Sequence, residues 1–558
     1  MSVASRYIGR YLDLPPAVTN DVTVRHDIDV RARDGVVLRT DHYAPGLDRA
    51  PTILIRTPYG RRGVIGLVTG RVLAERGFHV VLQSCRGTFD SGGTFAPMRH
   101  ERDDGLDTLA WLEREPWFDG NLFTWGSSYV GFTQWAIAGD AGTALKGMLT
   151  AVTASSFRAP TYAGGAFSLD TVLNWATLLN NQGGSLLSFL VKQTRSRSML
   201  RRAWTHLPLA GADAIAAGRE IAFFQEWLTR AGDEAYWRDR GDAGRIEETE
   251  AAVCMIGGWY DIFLPWQLAD YARLRAAGKQ PRLVIGAWTH SSRELFAHTM
   301  REGIDFFRAR LDGNPGTAPA PVEIYVGGAN EWRTLDEWPP PGRTRQWFAS
   351  GDAGLAAAAP ATADAAIGRF RYDPADPTPS PGGPLLTVGA GRMRNNAVES
   401  RDDTLVYSSP TLSAPVEVIG PVTVSVRLRS SSAHFDLFAR VCDVAPDGRS
   451  ENICDGLTRL DESAPIAADG SRTVDITLWP TAYRWLAGHR IRLQIAGGAH
   501  PRYSRNPGTG EPLGSATRLV AVEHEVSEVV LRMVETAHQP PPGVTAGRRG
   551  GGRRHRRH

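Results

Sequence analysis

Long hydrophobic runs and cysteine pairs are both scarce in this 558-residue sequence. No stretch approaches the roughly 18 to 20 apolar residues of a membrane-spanning helix, and the first residues lack the apolar run of a secretory signal. The four cysteines are too few for a disulfide framework and have neither CxxC nor metal-ligand spacing; they are Cys85, Cys254, Cys442 and Cys454. We therefore expect a cytoplasmic protein with reduced, mostly buried thiols. A Cys442–Cys454 bridge is the lesser alternative.

Lysine is also rare, since only three of the 63 Lys and Arg residues are lysines, at Lys146, Lys192 and Lys279. The formal net charge is +3, and residues 548–558, RRGGGRRHRRH, contribute six arginines and no acid. The rest of the chain is therefore slightly acidic, at −3. Because this tail accounts for the basic pI, we expect neither a nucleic-acid nor a membrane partner. Contact of the tail with a polyanion through charge alone is the alternative.

Length and composition indicate a globular protein of several domains. Apolar residues make up 42% and charged residues 22% of the chain, which excludes general disorder. At about 150 residues per domain, the length predicts three or four folding units.

Two parts of the chain alternate short apolar strands with helix-like segments. Strands are predicted at 36–45, 51–57, 78–84, 251–258 and 282–288, and helices at 71–77 and 103–115. This alternation predicts an α/β fold with a mostly parallel sheet, whose active site lies at the carboxyl ends of the strands. We assign residues 1–145 and 247–320 to this catalytic domain.

The other segments have a different character. Residues 146–246 contain amphipathic helical stretches and no predicted strand, which favours a helical cap inserted over the active edge of the sheet. Packing helices without a role in the site are the alternative. Residues 321–536 carry strands separated by turns, which predicts an antiparallel β-sandwich. The Pro-, Gly- and Arg-rich residues 537–558 are predicted to be disordered.

The sharpest chemical signal is the segment NLFTWGSSYVGF at 121–132. An apolar strand runs into small residues and then into a helix-like stretch. This is the context of a nucleophile elbow, in which a strained turn exposes a serine Oγ above the sheet. Ser128 is the predicted nucleophile, and Ser127 is its nearest rival. Val130 stands where the usual GxSxG pattern has glycine, and Gly131 follows it.

A serine nucleophile needs a base, and the base needs a carboxylate that orients it. Hydrolases with such an elbow supply these groups after later strands, in the order serine, acid, histidine. Asp261 comes just after the strand predicted at 251–258, and His290 comes just after the strand at 282–288. A helix cap for Asp261 and a loop position for His290 are the alternatives. The three residues together, in this order, predict a catalytic triad.

Acyl transfer at this serine also requires hydrogen-bond donors for the oxyanion. The backbone N–H of Tyr129, directly after the nucleophile, is one donor by its position. The loop after the strand at 51–57 contains Tyr59, and its hydroxyl would be the second donor if it points inward. A tyrosine in a surface turn is the alternative.

Four motifs occur together in this sequence: RTPYG (56–60), WGSSYVGFTQW (125–135), GGWYDIF (257–263) and GAWTH (286–290). In this order and spacing they resemble the CocE/NonD hydrolases, which are cocaine esterase-like relatives of the X-Pro dipeptidyl-peptidases and α-amino acid ester hydrolases. The resemblance implies an α/β-hydrolase domain, a helical cap and a C-terminal jelly roll. By motif, Ser128, Asp261 and His290 resemble the family triad. Tyr59 resembles the tyrosine that completes the oxyanion hole with the N–H of Tyr129.

The resulting hypothesis is a serine hydrolase without a metal or organic cofactor, acting on a small-molecule ester or a short peptide. Carboxylesterase activity is favoured over X-Pro dipeptidyl-peptidase or acylase activity. Such a peptidase needs a carboxylate for the free amine of its substrate, and three cap acids are candidates: Asp170, Glu220 and Glu226. Three tryptophans would suit a bulky acyl pocket, with core packing as the alternative: Trp175, Trp259 and Trp288. Homo-oligomerisation and ligand binding by the sandwich are left open.

Overall fold

The computed structural model describes residues 3–181, 197–240, 243–312, 320–360 and 366–536. The tail predicted to be disordered, residues 537–558, lies outside the described residues. The described chain forms an α/β unit, a layer of helices over one edge of its sheet, and a β-sandwich.

Ten strands build the sheet of the α/β unit. They are β1 (Thr23–Arg31), β2 (Val37–Ala44), β3 (Ala50–Thr57), β4 (His79–Ser84), β5 (Phe118–Ser127), β6 (Leu145–Ala151), β7 (Ala252–Tyr260), β8 (Arg282–Thr289), β9 (Val322–Val326) and β10 (Glu331–Leu335). Their spatial order is β1-β2-β4-β3-β5-β6-β7-β8-β9-β10. All pairs from β4 to β9 are parallel, and antiparallel pairs occur only towards the two edges. The predicted mostly parallel sheet is confirmed.

The central strands are buried on both faces, as their continuous apolar runs require. Every residue of β4 is buried, and so is every residue of β7 after the first. The main helices of the described chain are α1 (Val3–Tyr11), α2 (Glu101–Leu112), α3 (Tyr129–Ala138), α4 (Leu169–Asn181), α5 (Ala212–Ala217), α6 (Ala222–Thr229), α7 (Glu234–Arg240), α8 (Leu264–Ala276) and α9 (Arg293–Asp312). Helix α3 is buried along its whole length, because it lies between the sheet and the helices above it.

Two features of the sheet differ from the sequence prediction. The block predicted to be entirely helical, 146–246, begins with β6, which pairs in parallel with β5 and β7. Its run LKGMLTA is too short for periodicity to separate a strand from a buried helix. The sheet also continues beyond residue 320, because β9 and β10 add to its edge. The predicted border after residue 145 therefore cuts β6, and the predicted border at residue 320 excludes β9 and β10 from the sheet to which they belong.

Helices α4 to α7 form the cap over the carboxyl ends of the strands. A buried aromatic cluster joins them to α3 and includes Phe132, Phe167, Phe224 and Trp237. Because this cluster packs directly on the helix that follows β5, the cap encloses the turn between β5 and α3. The predicted helical cap is confirmed in this position.

The C-terminal unit is a sandwich of two antiparallel sheets. Its strands are β11 (Arg343–Ala349), β12 (Leu355–Ala356), β13 (Gly368–Tyr372), β14 (Thr404–Ser408), β15 (Val416–Ser430), β16 (Phe435–Val444), β17 (Ser450–Leu460), β18 (Arg472–Trp485), β19 (Arg490–Ala496) and β20 (Val522–Glu535). One sheet joins β12-β11-β20-β15-β18, with β13 also on β20, and the other joins β14-β19-β16-β17. A single core of alternating inward residues, such as Val424 and Val426 of β15, fills the space between the sheets.

The four cysteines are all buried and free, so the alternative Cys442–Cys454 bridge does not form. No helix within the described ranges is both long enough and apolar enough to cross a membrane.

Candidate active site

The turn between β5 and α3 has the backbone of a strained elbow. Ser128 adopts φ 58° and ψ −127°, a region that residues with a side chain rarely occupy. A Cβ atom at Gly126 would overlap the side chain of Val130, and one at Gly131 would overlap the side chain of Thr153. The turn therefore requires its two glycines at 126 and 131, which explains why glycine follows Val130 rather than replacing it.

The end of β6 and the residues that follow it hold the Ser128 backbone in this conformation. Its N–H donates to the carbonyl oxygen of Ala151 at 2.9 Å, and its own carbonyl accepts from Thr153 Oγ1 at 2.7 Å. Ser127 is the last residue of β5 and lies along the same cavity, but it does not have the left-handed backbone of the elbow.

Asp261 and His290 meet at the ends of β7 and β8. Asp261 Oδ2 lies 2.6 Å from His290 Nδ1, and the second carboxylate oxygen accepts from the N–H of Phe263 at 2.8 Å. The Asp261 side chain is fully buried, whereas that of His290 is 10% exposed. Because Nδ1 contacts Asp261, Nε2 is the ring nitrogen that remains for a proton transfer. Ser128 and His290 line one cavity. Among the hydrogen bonds of the described residues, none joins these two side chains.

Tyr59 lies beside the nucleophile with its hydroxyl buried. Its oxygen accepts a hydrogen bond from Trp175 Nε1 at 2.9 Å, and its hydroxyl also interacts with the Ser128 side chain. Burial raises the pKa of Tyr59 to about 12, because an ionised phenolate would lose its hydration. The phenol therefore keeps its proton near neutral pH and remains a donor.

The backbone N–H of Tyr129 donates to no acceptor within the part of the chain that the structure describes. It is the first residue of α3, where N–H groups have no partner inside the helix. A free N–H and a protonated phenol thus both lie next to Ser128. This is the arrangement of donors that an oxyanion requires.

A buried ion pair supports the elbow from behind. The hydroxyl of Tyr129 donates to Glu101 Oε1 at 2.8 Å and accepts from the N–H of Met98 at 2.7 Å. The other Glu101 oxygen lies 3.0 Å from the guanidinium of Arg56 on β3, and both charged side chains are almost fully buried. Sequence reasoning missed Glu101 and Arg56. The available signal was an arginine inside the apolar run TILIRT, because a buried cation requires a carboxylate partner.

A cavity of about 720 Å³ opens above Ser128, which is large enough for a drug-sized ligand. Most of its lining is apolar or aromatic and includes Phe157, Trp175, Leu178, Trp204, Trp227 and Phe263. Loop residues 386–388 of the C-terminal unit close one side. Among the described residues, no Asp or Glu side chain lines this cavity.

None of the three cap acids considered as amine ligands lines the cavity. Asp170 is fully buried, and its carboxylate accepts from the Leu386 N–H at 2.8 Å and from Thr387 Oγ1 at 2.6 Å. Burial nevertheless raises its pKa above the usual range. Glu226 accepts from the hydroxyl of Tyr236 at 2.7 Å, and Glu220 is exposed.

Only one of the three tryptophans considered for an acyl pocket lies there. Trp175 lines the cavity, whereas Trp259 and Trp288 pack in two different cores of the α/β unit. Within the described ranges, no group of three or more His, Cys, Asp or Glu side chains is arranged to hold a metal ion.

Comparisons with known proteins cover nearly the whole chain. Residues 34–292 match the family described as X-Pro dipeptidyl-peptidase (S15 family), and residues 314–532 match the X-Pro dipeptidyl-peptidase C-terminal non-catalytic domain. Cocaine esterase from Rhodococcus sp. (strain MB1 Bresler) is 31% identical over 542 residues, which cover 88% of this chain and 94% of that enzyme.

Two solved structures share the complete architecture. An aminopeptidase from the marine sediment archaeon Thaumarchaeota archaeon superposes with a TM-score of 0.77 at 22% identity. An α-amino acid ester hydrolase superposes with a TM-score of 0.76 at 20% identity. Each match covers 94% of this chain and 98% of the other. An α/β-hydrolase domain with a helical cap and a C-terminal jelly roll is thus the fold of this chain.

Proposed function

Since the chain belongs to the cocaine esterase-like CocE/NonD family of serine hydrolases, we propose that it cleaves esters through an acyl-enzyme on Ser128. The observation that carries the proposal is the convergence of a strained Ser128, an Asp261–His290 pair and the Tyr59 hydroxyl on one cavity. These four residues follow four different strands, β3, β5, β7 and β8, and they meet where parallel sheets place their active sites.

The first step uses His290 as the base. The Ser128 hydroxyl rotates from Tyr59 towards the imidazole, because catalytic hydrogen bonds often form only when substrate is bound. His290 Nε2 takes the proton, and Oγ attacks the ester carbonyl carbon. Asp261 holds the Nδ1–H tautomer and stabilises the imidazolium.

The oxyanion then accepts hydrogen bonds from the Tyr59 hydroxyl and the Tyr129 N–H. As the intermediate collapses, the bond between the carbonyl carbon and the alcohol oxygen breaks, and His290 gives its proton to the leaving alcohol. A water molecule repeats the sequence on the acyl-enzyme. It loses a proton to His290 while its oxygen attacks the acyl carbon. The bond from that carbon to Ser128 Oγ then breaks, the acid leaves, and His290 returns the proton to Oγ.

The absence of a carboxylate from the described cavity lining supports ester over X-Pro peptide cleavage. A dipeptide substrate with a free amine would place an ammonium group against apolar and aromatic walls, where it costs free energy without an anionic partner. X-Pro dipeptidyl-peptidase activity remains the second candidate, because the matched families carry that name.

The test is hydrolysis of 4-nitrophenyl butyrate and of an X-Pro 4-nitroanilide by the wild type, Ser128→Ala and Ser127→Ala. Ser128→Ala should lose turnover and labelling by a fluorophosphonate, while Ser127→Ala keeps labelling. Retention of wild-type turnover by Ser128→Ala would contradict the assignment. Faster turnover of the anilide than of the ester would favour the peptidase.

We also propose a cytoplasmic location and no nucleic-acid partner. Four buried, unpaired cysteines are typical of a reducing compartment, and the chain without residues 548–558 is slightly acidic. Salt-sensitive binding of nucleic acid that disappears on deletion of 548–558 would contradict the second proposal. Size-exclusion chromatography with light scattering tests whether the enzyme forms homo-oligomers.

A further inference from the structure

The sequence of the cap has an unusual charge distribution. No Asp or Glu occurs from residue 171 to residue 212, although acids make up 60 of the 558 residues. The same segment contains five basic residues: Lys192, Arg195, Arg197, Arg201 and Arg202. The cap region that follows Asp170 is therefore uniformly cationic, and no cap acid from this segment can neutralise a positive group in the cavity.

Two of these arginines lie on the cavity wall. Residues 197–204 are helical, and Arg197, Leu200, Arg201 and Trp204 all line the cavity. Their spacing of three and four residues places them on one face of the helix. The apolar pair and the charged pair thus form one continuous surface.

Both guanidinium groups are available to a ligand. Arg197 and Arg201 are exposed, and neither makes an ion pair or a side-chain hydrogen bond with another residue within the described part of the chain. Because they reach solvent while Ser128 and His290 lie deeper, the arginines mark the outer part of the cavity. Arg202, the next residue, is also exposed but does not line the cavity.

The rest of the described lining leaves this positive charge uncompensated. It contains no carboxylate, and its apolar walls provide a surface of low dielectric constant that strengthens the field of the arginines. A ligand with a free amine is repelled there, whereas a carboxylate can accept paired hydrogen bonds from a guanidinium. The apolar body of the same ligand would contact Leu200 and Trp204.

We propose that the preferred substrates are esters with an apolar body and a carboxylate at the end remote from the scissile bond, held by Arg197 and Arg201. This inference rests on the proposed function, since it assumes that the ester carbonyl is placed at Ser128.

The experiment compares esters that differ only in the remote charge. One series consists of 4-nitrophenyl hemisuberate, octanoate and 8-(trimethylammonio)octanoate, with the charge on the acyl side. A second series pairs 4-carboxyphenyl octanoate with phenyl octanoate, with the charge on the leaving group. In the variant Arg197→Gln/Arg201→Gln, the ratio of kcat/KM for anionic to neutral ester should fall about tenfold in at least one series, as expected for two partly exposed charge contacts. The cationic ester should be the poorest substrate of the wild type.

Arg202→Gln is the matched control, because it removes an arginine from the same helix but outside the cavity. It should leave the ratio unchanged, and added salt should lower the ratio in the wild type but not in the double variant. An unchanged ratio in both series of the double variant would overturn the inference. Ser128→Ala separates the two proposals: activity of this variant on octanoate contradicts the proposed function. An inactive Ser128→Ala together with an unmoved ratio contradicts only the substrate class.

Discussion

Nε1 of Trp175 donates a hydrogen bond of 2.9 Å to the hydroxyl oxygen of Tyr59, across 116 positions of sequence. The contact joins α4 of the cap to the loop after β3. Because the indole N–H uses one acceptor position of the phenol oxygen, the phenolic proton is left to reach the Ser128 side. The cap therefore holds the hydroxyl that we propose as an oxyanion donor, in addition to enclosing the cavity.

This contact gives the first prediction. Tyr59→Phe should lower kcat by about 10² to 10³ with little change in KM, because it removes one oxyanion donor. Trp175→Phe keeps an aromatic ring but loses the N–H, so we expect a smaller loss of about tenfold. Steady-state kinetics on 4-nitrophenyl butyrate measures both. A wild-type kcat in Tyr59→Phe would contradict the assignment of Tyr59 to the oxyanion hole.

The second prediction concerns the orienting carboxylate. Asp261→Asn should lower kcat by about 10³ to 10⁴, since the amide favours the wrong imidazole tautomer. Stability should change little, because the substitution preserves the shape of the side chain. Asp233→Asn, at a partly exposed position of the cap, is the control and should retain full activity. A loss of activity that only follows unfolding, measured by circular dichroism, would speak against this role.

The third prediction tests the ion pair behind the elbow. Glu101→Gln removes the nearer carboxylate from the buried guanidinium of Arg56 and leaves only Asp104, at 3.9 Å. We expect the free energy of unfolding to fall by about 3 kcal/mol. Asp103→Asn lies on the same helix but is half-exposed, so it should change stability by less than about 1 kcal/mol. Urea denaturation compares the two variants. Equal stability of Glu101→Gln and the wild type would show that the pair is dispensable.

The fourth prediction is a pH dependence of stability in the sandwich. His524 lies between Phe370 and Phe435, at ring-centroid distances of 4.6 and 5.1 Å, and burial lowers its pKa to about 4. Below pH 6.5 the unfolded state binds a proton that the folded state does not, so stability should decrease as the pH falls from 6.5 towards 4.

His524→Phe removes this proton from the unfolded state. The loss of unfolding free energy between pH 7 and pH 5 should therefore be smaller in the variant by about 2 kcal/mol. Thermal unfolding at the two pH values, analysed with the calorimetric enthalpy, provides the measurement. The same pH dependence in the variant and the wild type would assign the effect to other groups.

Local patterns were sufficient to predict Ser128, Asp261 and His290 as candidates. Each lies where a short apolar strand ends, and strand ends can be recognised from a few neighbouring residues. The β-sandwich was equally visible, because alternating runs such as that in β15 indicate one buried face. The roles of the three candidates stay predictions until the variants are measured.

Contacts between distant segments could not be predicted in this way. Trp175 reaches Tyr59, and Glu101 reaches Tyr129 and Arg56, only after the cap and α2 pack on the sheet. None of these three contacts produces a characteristic spacing of residues that a single sequence would reveal. β6 was missed for a different reason, since its seven residues fit a buried strand and a helical turn equally well.

The Leu386 N–H and the Thr387 hydroxyl donate hydrogen bonds to the Asp170 carboxylate of the cap. These bonds hold the C-terminal unit against the cavity above Ser128. A chain cut after α9 would retain the nucleophile, acid and base but would lose one wall of the space in which they work. Exchange of sandwiches between relatives should therefore alter which substrates are accepted, although the exchanged segment carries none of the reacting groups. We therefore expect the unit named non-catalytic by its family to influence which substrates are accepted, and substitutions in its loop 386–388 are the direct way to change that preference.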